Sequence, residues 1–199
     1  MELKQNYFFS NLKNYVSMWL IQFLFLTMET TNLTAIKNKI ISQVAIVDLM
    51  QQWNKQKVVF TNGCFDILHQ GHITYLAQTA DLGDKLIVGI NSDASVKMLN
   101  KGTTRPLQDE YSRALIIASL NFVDAVIIFD EATPLALISA IQPQVLVKGG
   151  DYDSAINDPS DKKYIVGSDV VKQNGGEVIV VPFLSGYSTT SIEEKIKRG

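Results

Sequence analysis

The chain is poor in the residues that build disulfide or metal frameworks. It carries one cysteine, Cys64, and two histidines among 199 residues. A single thiol excludes an internal disulfide and a cysteine-rich zinc module, and fits a reducing, cytoplasmic compartment. Excess charge of one sign is missing as well: 18 basic side chains face 20 acidic ones, a formal charge of −2. A nucleic-acid partner needs a clustered positive field, so none is expected, while a small anion held by a few local cations remains compatible. Long apolar runs are also lacking. The apolar heart of the first segment, Trp19–Leu26, is far shorter than the ~20 residues of a membrane span, so no membrane partner is expected.

What is present is a globular composition, 46% hydrophobic and 19% charged. At about 150 residues per domain the length points to one domain, which buries roughly 70% of its unfolded surface without staples. Residues 1–27 differ from the rest, being rich in Asn, Tyr, Phe and Leu. Lys4 and Lys13 precede an apolar run as in a signal peptide, but Thr27-Met28-Glu29-Thr30 offers no small-x-small cleavage site. Residues 1–27 are therefore expected to be a non-native or disordered extension, with translation starting at Met28. A docking helix and a signal or anchor are the alternatives. Residues 28–56 are expected to be helical, with apolar spacing at Ile36, Ile40, Val44, Val47 and Met50, and residues 57–199 to form the domain proper.

From Lys57 onward the chain alternates strand and helix. Strands are expected at Lys57–Asn62, Lys85–Asn91, Ala125–Phe129, Val145–Lys148 and Glu177–Pro182. Helices are expected at His72–Asp81, Asp109–Leu120, Pro134–Ile141, Ser168–Asn174 and Thr189–Lys197. Strands apolar on both faces and separated by helices imply an α/β, doubly wound, Rossmann-like fold on a five-stranded parallel sheet. In such a sheet the ligand lies beyond the carboxyl ends of the strands. Polar and glycine residues gather there, in 63–72, 92–97, 130–133, 149–152 and 183–191.

The sharpest signal is Thr61-Asn62-Gly63-Cys64-Phe65-Asp66-Ile67-Leu68-His69-Gln70-Gly71-His72, which holds both histidines. They could ligate zinc with Cys64 or Asp66, although no further Cys or His completes a shell. They could cap and pack the helix. Or they could bind a phosphate at the helix N-terminus, where free N–H groups and the macrodipole favour an anion and Gly71 lets the backbone come close. Strand, glycine turn and helix start in that order favour the phosphate. Cys64 is assigned to packing.

His69-Gln70-Gly71-His72 resembles the HxGH motif of the nucleotidyltransferase superfamily that includes the cytidylyltransferases. Gly186-Tyr187-Ser188-Thr189-Thr190 resembles that superfamily's second phosphate-binding turn. The resemblance runs from about Val58 to Lys197. Asn62–Asp66, Asn91–Ser95, Arg105-Pro106 and Leu146–Tyr152 are similar to the branch that makes ADP-glycero-manno-heptose from heptose 1-phosphate and ATP. In many relatives this domain is fused to a sugar kinase. The resemblance thus implies an adenylyltransferase that uses ATP with Mg²⁺ and a sugar 1-phosphate, works beside a separate heptose kinase, and is compatible with a homodimer.

It also implies roles. His69 and His72 would contact the α- and β-phosphates, and Thr61, Asn62, Gly63 and Gly71 would let the loop bend around them. Asp66 would orient the site. Lys101, or Lys97 in its stead, would reach the phosphates, and Arg113 resembles a phosphate-contacting arginine. Asp93 and Gly149 lie in matched segments, Asp151 would take the ribose or base, and Phe65 and Tyr75 could touch the base or pack. Ser188, Thr189 and Thr190 would hold the triphosphate, against the plainer reading of a helix cap. No residue is expected to be a metal ligand. The alternatives are a cytidylyltransferase acting on glycerol 3-phosphate or a related alcohol phosphate, and a non-catalytic nucleotide-binding module on the same fold. No G-x-S-x-G and no Walker A lysine occur, against hydrolase and P-loop readings.

Overall fold

The computed structural model describes residues 31–99 and 105–199. The chain divides into two units, Met1–Lys37 and Asn38–Gly199. Of the first, one helix, α1 (Thr31–Lys37), is described. The expectations for residues 1–27 and for Lys101 fall outside the described residues. No described helix is long and apolar enough to cross a membrane.

The second unit runs β1 (Ile40–Ile41), a 3-10 turn (Gln43–Ala45), α2 (Ile46–Gln52), β2 (Val58–Gly63), α3 (Gln70–Ala80), β3 (Lys85–Asn91) and α4 (Asp93–Met98). It continues α5 (Glu110–Ala118), β4 (Ala125–Phe129), α6 (Leu135–Ile141), β5 (Val145–Gly149), α7 (Ser168–Gln173), β6 (Glu177–Val181) and α8 (Thr189–Lys197). All neighbouring strands pair in parallel, in the order β1-β4-β3-β2-β5-β6. The apolar runs of β2 to β5 are buried because helices cover both faces of a parallel sheet. Phe60, Ile87, Ile127 and Leu146 are fully buried and form the core with Ile138, Ile141, Ile165 and Val171. From β2 the chain winds outward through β3 and β4, then returns to place β5 on the other side of β2. That reversal opens a crevice between the ends of β2 and β5, where doubly wound sheets bind ligands.

The sheet has six strands rather than the expected five. Ile40 and Ile41 sit where a helical spacing pointed to helix, yet they pair with Val126 and Ile127 at the sheet edge. Two β-branched residues beside an open edge gain backbone bonds and burial from pairing, and Val126 N donates to Lys39 O at 2.8 Å. The expected helical segment is therefore split by a strand, and Ile46 of α2 is part of the core. A short helix, α4, follows β3 where the sequence pattern marks no helix. Ser92 caps it, its hydroxyl accepting from Ser95 N at 3.1 Å.

Candidate functional site

A cavity of about 530 Å³ opens at this crevice. Its floor is built by the ends of β2 (Asn62, Gly63) and β5 (Lys148, Gly149), the turn Cys64-Phe65-Asp66, His72 of α3 and Thr189 of α8. Two helix N-termini thus meet there, the ends of a helix that favour anions.

His69 is the N-cap of α3. Its backbone is extended and its Nδ1 accepts from His72 N at 3.3 Å. With Nδ1 accepting, the neutral ring carries its proton on Nε2. The two imidazoles stack, with centroids 3.8 Å apart and planes 18° from parallel. Parallel rings, one of them capping, form a cap-and-donor arrangement. So the capping reading holds for His69 without excluding the phosphate. Gly71 sits tightly between them: a Cβ there would lie 3.1 Å from the His69 ring and 3.2 Å from Tyr187 Cβ, so those neighbours would have to give by a few tenths of an ångström.

His72 is the more perturbed of the pair. Burial, and then the neighbouring His69, push its pKa down to about 4, opposed by the Ile67 backbone. Its Nδ1 is buried without a hydrogen-bond partner among the described residues. Phe65 packs on it edge-to-face at 5.1 Å. The His69 pKa is lowered too, by burial. Both rings are therefore neutral donors near pH 7, and an anion arriving beside His72 meets a group whose charging it favours.

Across the cavity Lys148 Nζ donates to Asn62 Oδ1 and lies 5.6 Å from the centre of the Tyr152 ring. Gly150 has φ +90°, and a Cβ on it would run into the Phe183 ring. Only glycine lets β5 turn beneath that aromatic. Ser188 caps α8, its hydroxyl accepting from Ser191 N at 3.0 Å, and the Ser191 hydroxyl accepts from Ser188 N in return. Arg105 lines the cavity and pairs with Glu193 of α8 at 2.6 Å.

The structure thus brings Asn62, Gly63, Phe65, Asp66, His72, Gly149 and Thr189 to the cavity, with His69 and Gly71 building the helix start below it. Several expected residues stand elsewhere. Thr61 is buried and bonded to the Tyr75 hydroxyl at 2.6 Å, so it braces β2 against α3. Lys97 is exposed on α4, and Asp151, Ser188 and Thr190 are exposed beside the cavity. Arg113 does not reach the cavity: it is fully buried, its guanidinium engaged by Gln108 O, Cys64 O and Asp93. Asp93 is correspondingly the partner of Arg113 and does not line the cavity. The sequence reading gave no role to Lys148, Arg105, Tyr152 or Lys162, which line the cavity. Lys148 was findable, as a cation ending a strand immediately before Gly149-Gly150.

A parallel sheet with its crevice at the β2/β5 switch point and histidines at the start of α3 defines a Rossmann-like nucleotidyltransferase fold. The cytidylyltransferase-like family model matches residues 60–195, and the chain belongs to that family. It is 51% identical over 161 residues to the bifunctional protein HldE of Campylobacter concisus, a match covering 81% of this chain and 31% of the relative. The chain therefore spans about a third of the length of that curated relative. Among solved structures it resembles the lipopolysaccharide core biosynthesis protein of Thermoplasma volcanium, with a TM-score of 0.50 and 29% identity over 67% of this chain and 99% of that one. The pantoate-beta-alanine ligase of Francisella tularensis shares the fold, with a TM-score of 0.52 and 19% identity over 79% of this chain and 76% of that one.

Proposed function

We propose that the chain transfers AMP from ATP to a heptose 1-phosphate, giving ADP-heptose and pyrophosphate for surface-glycan synthesis. The observation that carries this reading is the cavity lining: His72 at the start of α3, stacked on the capping His69, faces one space with Thr189 at the start of α8 and Lys148. A sugar phosphate is already an anion, so its oxygen attacks the α-phosphorus without a general base. The bond to the β-phosphate breaks and pyrophosphate leaves with the electron pair. Such a reaction asks for alignment and for donors aimed at growing charge. His72, Lys148 and the helix N–H groups supply these, and no nucleophilic side chain is required. When bound, Mg²⁺ would neutralise phosphate charge, and Asp66 would hold it, since its Oδ2 is a buried carboxylate oxygen at the cavity with no hydrogen-bond partner among the described residues.

The relatives' name HldE and the similarity to a lipopolysaccharide core biosynthesis protein support a heptose acceptor. A cytoplasmic heptose kinase would then supply it. The test is pyrophosphate release with ATP or CTP against a panel of sugar and polyol phosphates. ATP with a heptose 1-phosphate should react fastest. Preference for CTP with glycerol 3-phosphate would replace this reading with the cytidylyltransferase one, and release with no pair would reject transfer altogether.

A further inference from the structure

The backbone is bent against its preference at Phe65. Its φ of +48° is left-handed, a conformation bulky residues rarely adopt and one that persists where the surroundings over-determine it. Both sides of this residue are tied down. On the N-terminal side, Arg113 Nη1 donates to Cys64 O at 2.7 Å. On the other, Asp66 Oδ1 accepts from Leu107 N at 2.8 Å and Gln108 N at 3.1 Å, and Gln108 Nε2 donates to Asp66 O at 2.6 Å. Arg113 is itself aimed by two further bonds, from Nε to Gln108 O at 3.0 Å and from Nη2 to Asp93 Oδ1 at 2.8 Å. Gln108 and Arg113 thus grip the same turn from behind, and Gln108, Arg113 and Asp93 do not line the cavity. The residue they bend presents its ring edge-to-face to His72 at 5.1 Å. The same ring fills the space over Gly63, where an added Cβ would lie 2.9 Å from it.

We infer that Arg113, with Gln108 and Asp93, is a positioning device: it holds the left-handed turn at Phe65 whose ring sets the His72 imidazole at the cavity. The catalytic consequence rests on the proposed nucleotidyl transfer, but the positioning does not. The chain has two histidines, so each gives one imidazole signal by NMR, and His72 can be followed in the free protein. Arg113→Lys keeps a cation for Asp93, but its single nitrogen cannot span the three partners that Nε, Nη1 and Nη2 reach in the guanidinium fork. In that variant the His72 signal should move, and its titration midpoint should rise from about 4 towards the ordinary 6.5 as water reaches the ring. Turnover should fall ~10²-fold, as expected for displaced catalytic geometry, with ATP affinity changing no more than about threefold. A folded Arg113→Lys protein whose His72 signal and midpoint match the wild type would overturn the proposal and leave Arg113 a core charge. If Arg113→Lys does not fold, Gln108→Leu decides. It removes only the side-chain bond to Asp66 O, and should shift the His72 signal in the same direction by less; no shift would overturn the proposal. If the wild type turns over no nucleotide pair, the functional reading fails while the NMR comparison still decides the positioning.

Discussion

The two helix N-termini that meet at the cavity are built differently. The start of α3 is capped by an imidazole, and the helix buries Gly71, Tyr75, Leu76 and Thr79. Its second histidine has a buried nitrogen with no hydrogen-bond partner among the described residues, and a depressed pKa. The start of α8 is capped by two serines reciprocally, and that helix has no buried residue. One end is a fixed site whose donors were oriented before any ligand arrives. The other is an exposed grip whose capping groups are already satisfied locally. The difference suggests a division of labour, in which α3 acts on charge that develops during bond breaking and α8 on charge already present in the bound nucleotide. Interactions of the first kind raise turnover, and those of the second lower KM.

The largest effect should come from the fixed end. His72→Ala should lower kcat by ~10²–10³-fold, the loss typical of one preorganised donor, with ATP affinity changing far less. Steady-state kinetics with a nucleotide-binding titration check this. His69→Ala should act in the same direction, and the double variant should be less than additive because both rings serve one charge.

At the other end Thr189→Val should raise the KM for ATP about tenfold, the loss of one hydrogen bond to a charged group. The same kinetics should find kcat within about threefold. A kcat loss as deep as that of His72→Ala would erase the contrast between the two helices.

The depressed pKa of His72 also marks the α3 end in stability. The unfolded chain takes up its proton near 6.5, the folded chain not until about 4. The stabilising contribution is therefore fully present above 6.5 and is lost as pH falls through that window to about 4. His69, lowered in the same sense, adds to it. Urea unfolding between pH 7.5 and 4 should show this decline, and His72→Gln should flatten it. An equal slope in the variant would place the acid sensitivity elsewhere. The smallest effect belongs to the α8 cap: Ser188→Ala should cost about 1 kcal/mol of stability, read as a small drop in melting temperature.

The same contrast separates what the sequence made legible from what it hid. The buried strands stood out because parallel strands are apolar on both faces, and the α3 start stood out because strand, glycine turn and paired histidines lie in one short segment. β1 did not, since Ile40 and Ile41 also fit a helical spacing and only the exposed edge of β4 decides between the two. Lys97 was legible as a cation after a strand, but α4 turns it outward. Arg113 resembles the superfamily's phosphate-contacting arginine, yet it is fully buried behind the cavity. Its burial depends on three partners from separate segments, Cys64, Asp93 and Gln108, which no local pattern reveals. Lys148 lies in the matched segment Leu146–Tyr152, but its role stays hidden in an otherwise apolar strand, where its bond to Asn62 is a cross-strand matter.

The most direct test sets His72→Ala beside Thr189→Val in one buffer, measuring the ATP dissociation constant and the single-turnover rate of pyrophosphate release for each. The two variants should cross: His72→Ala should lose rate with ATP affinity nearly kept, and Thr189→Val should lose affinity with rate nearly kept. If both variants lose affinity and rate in the same proportion, or if His72→Ala releases pyrophosphate at the wild-type rate, the fixed end of α3 is not where the transferring phosphate is stabilised.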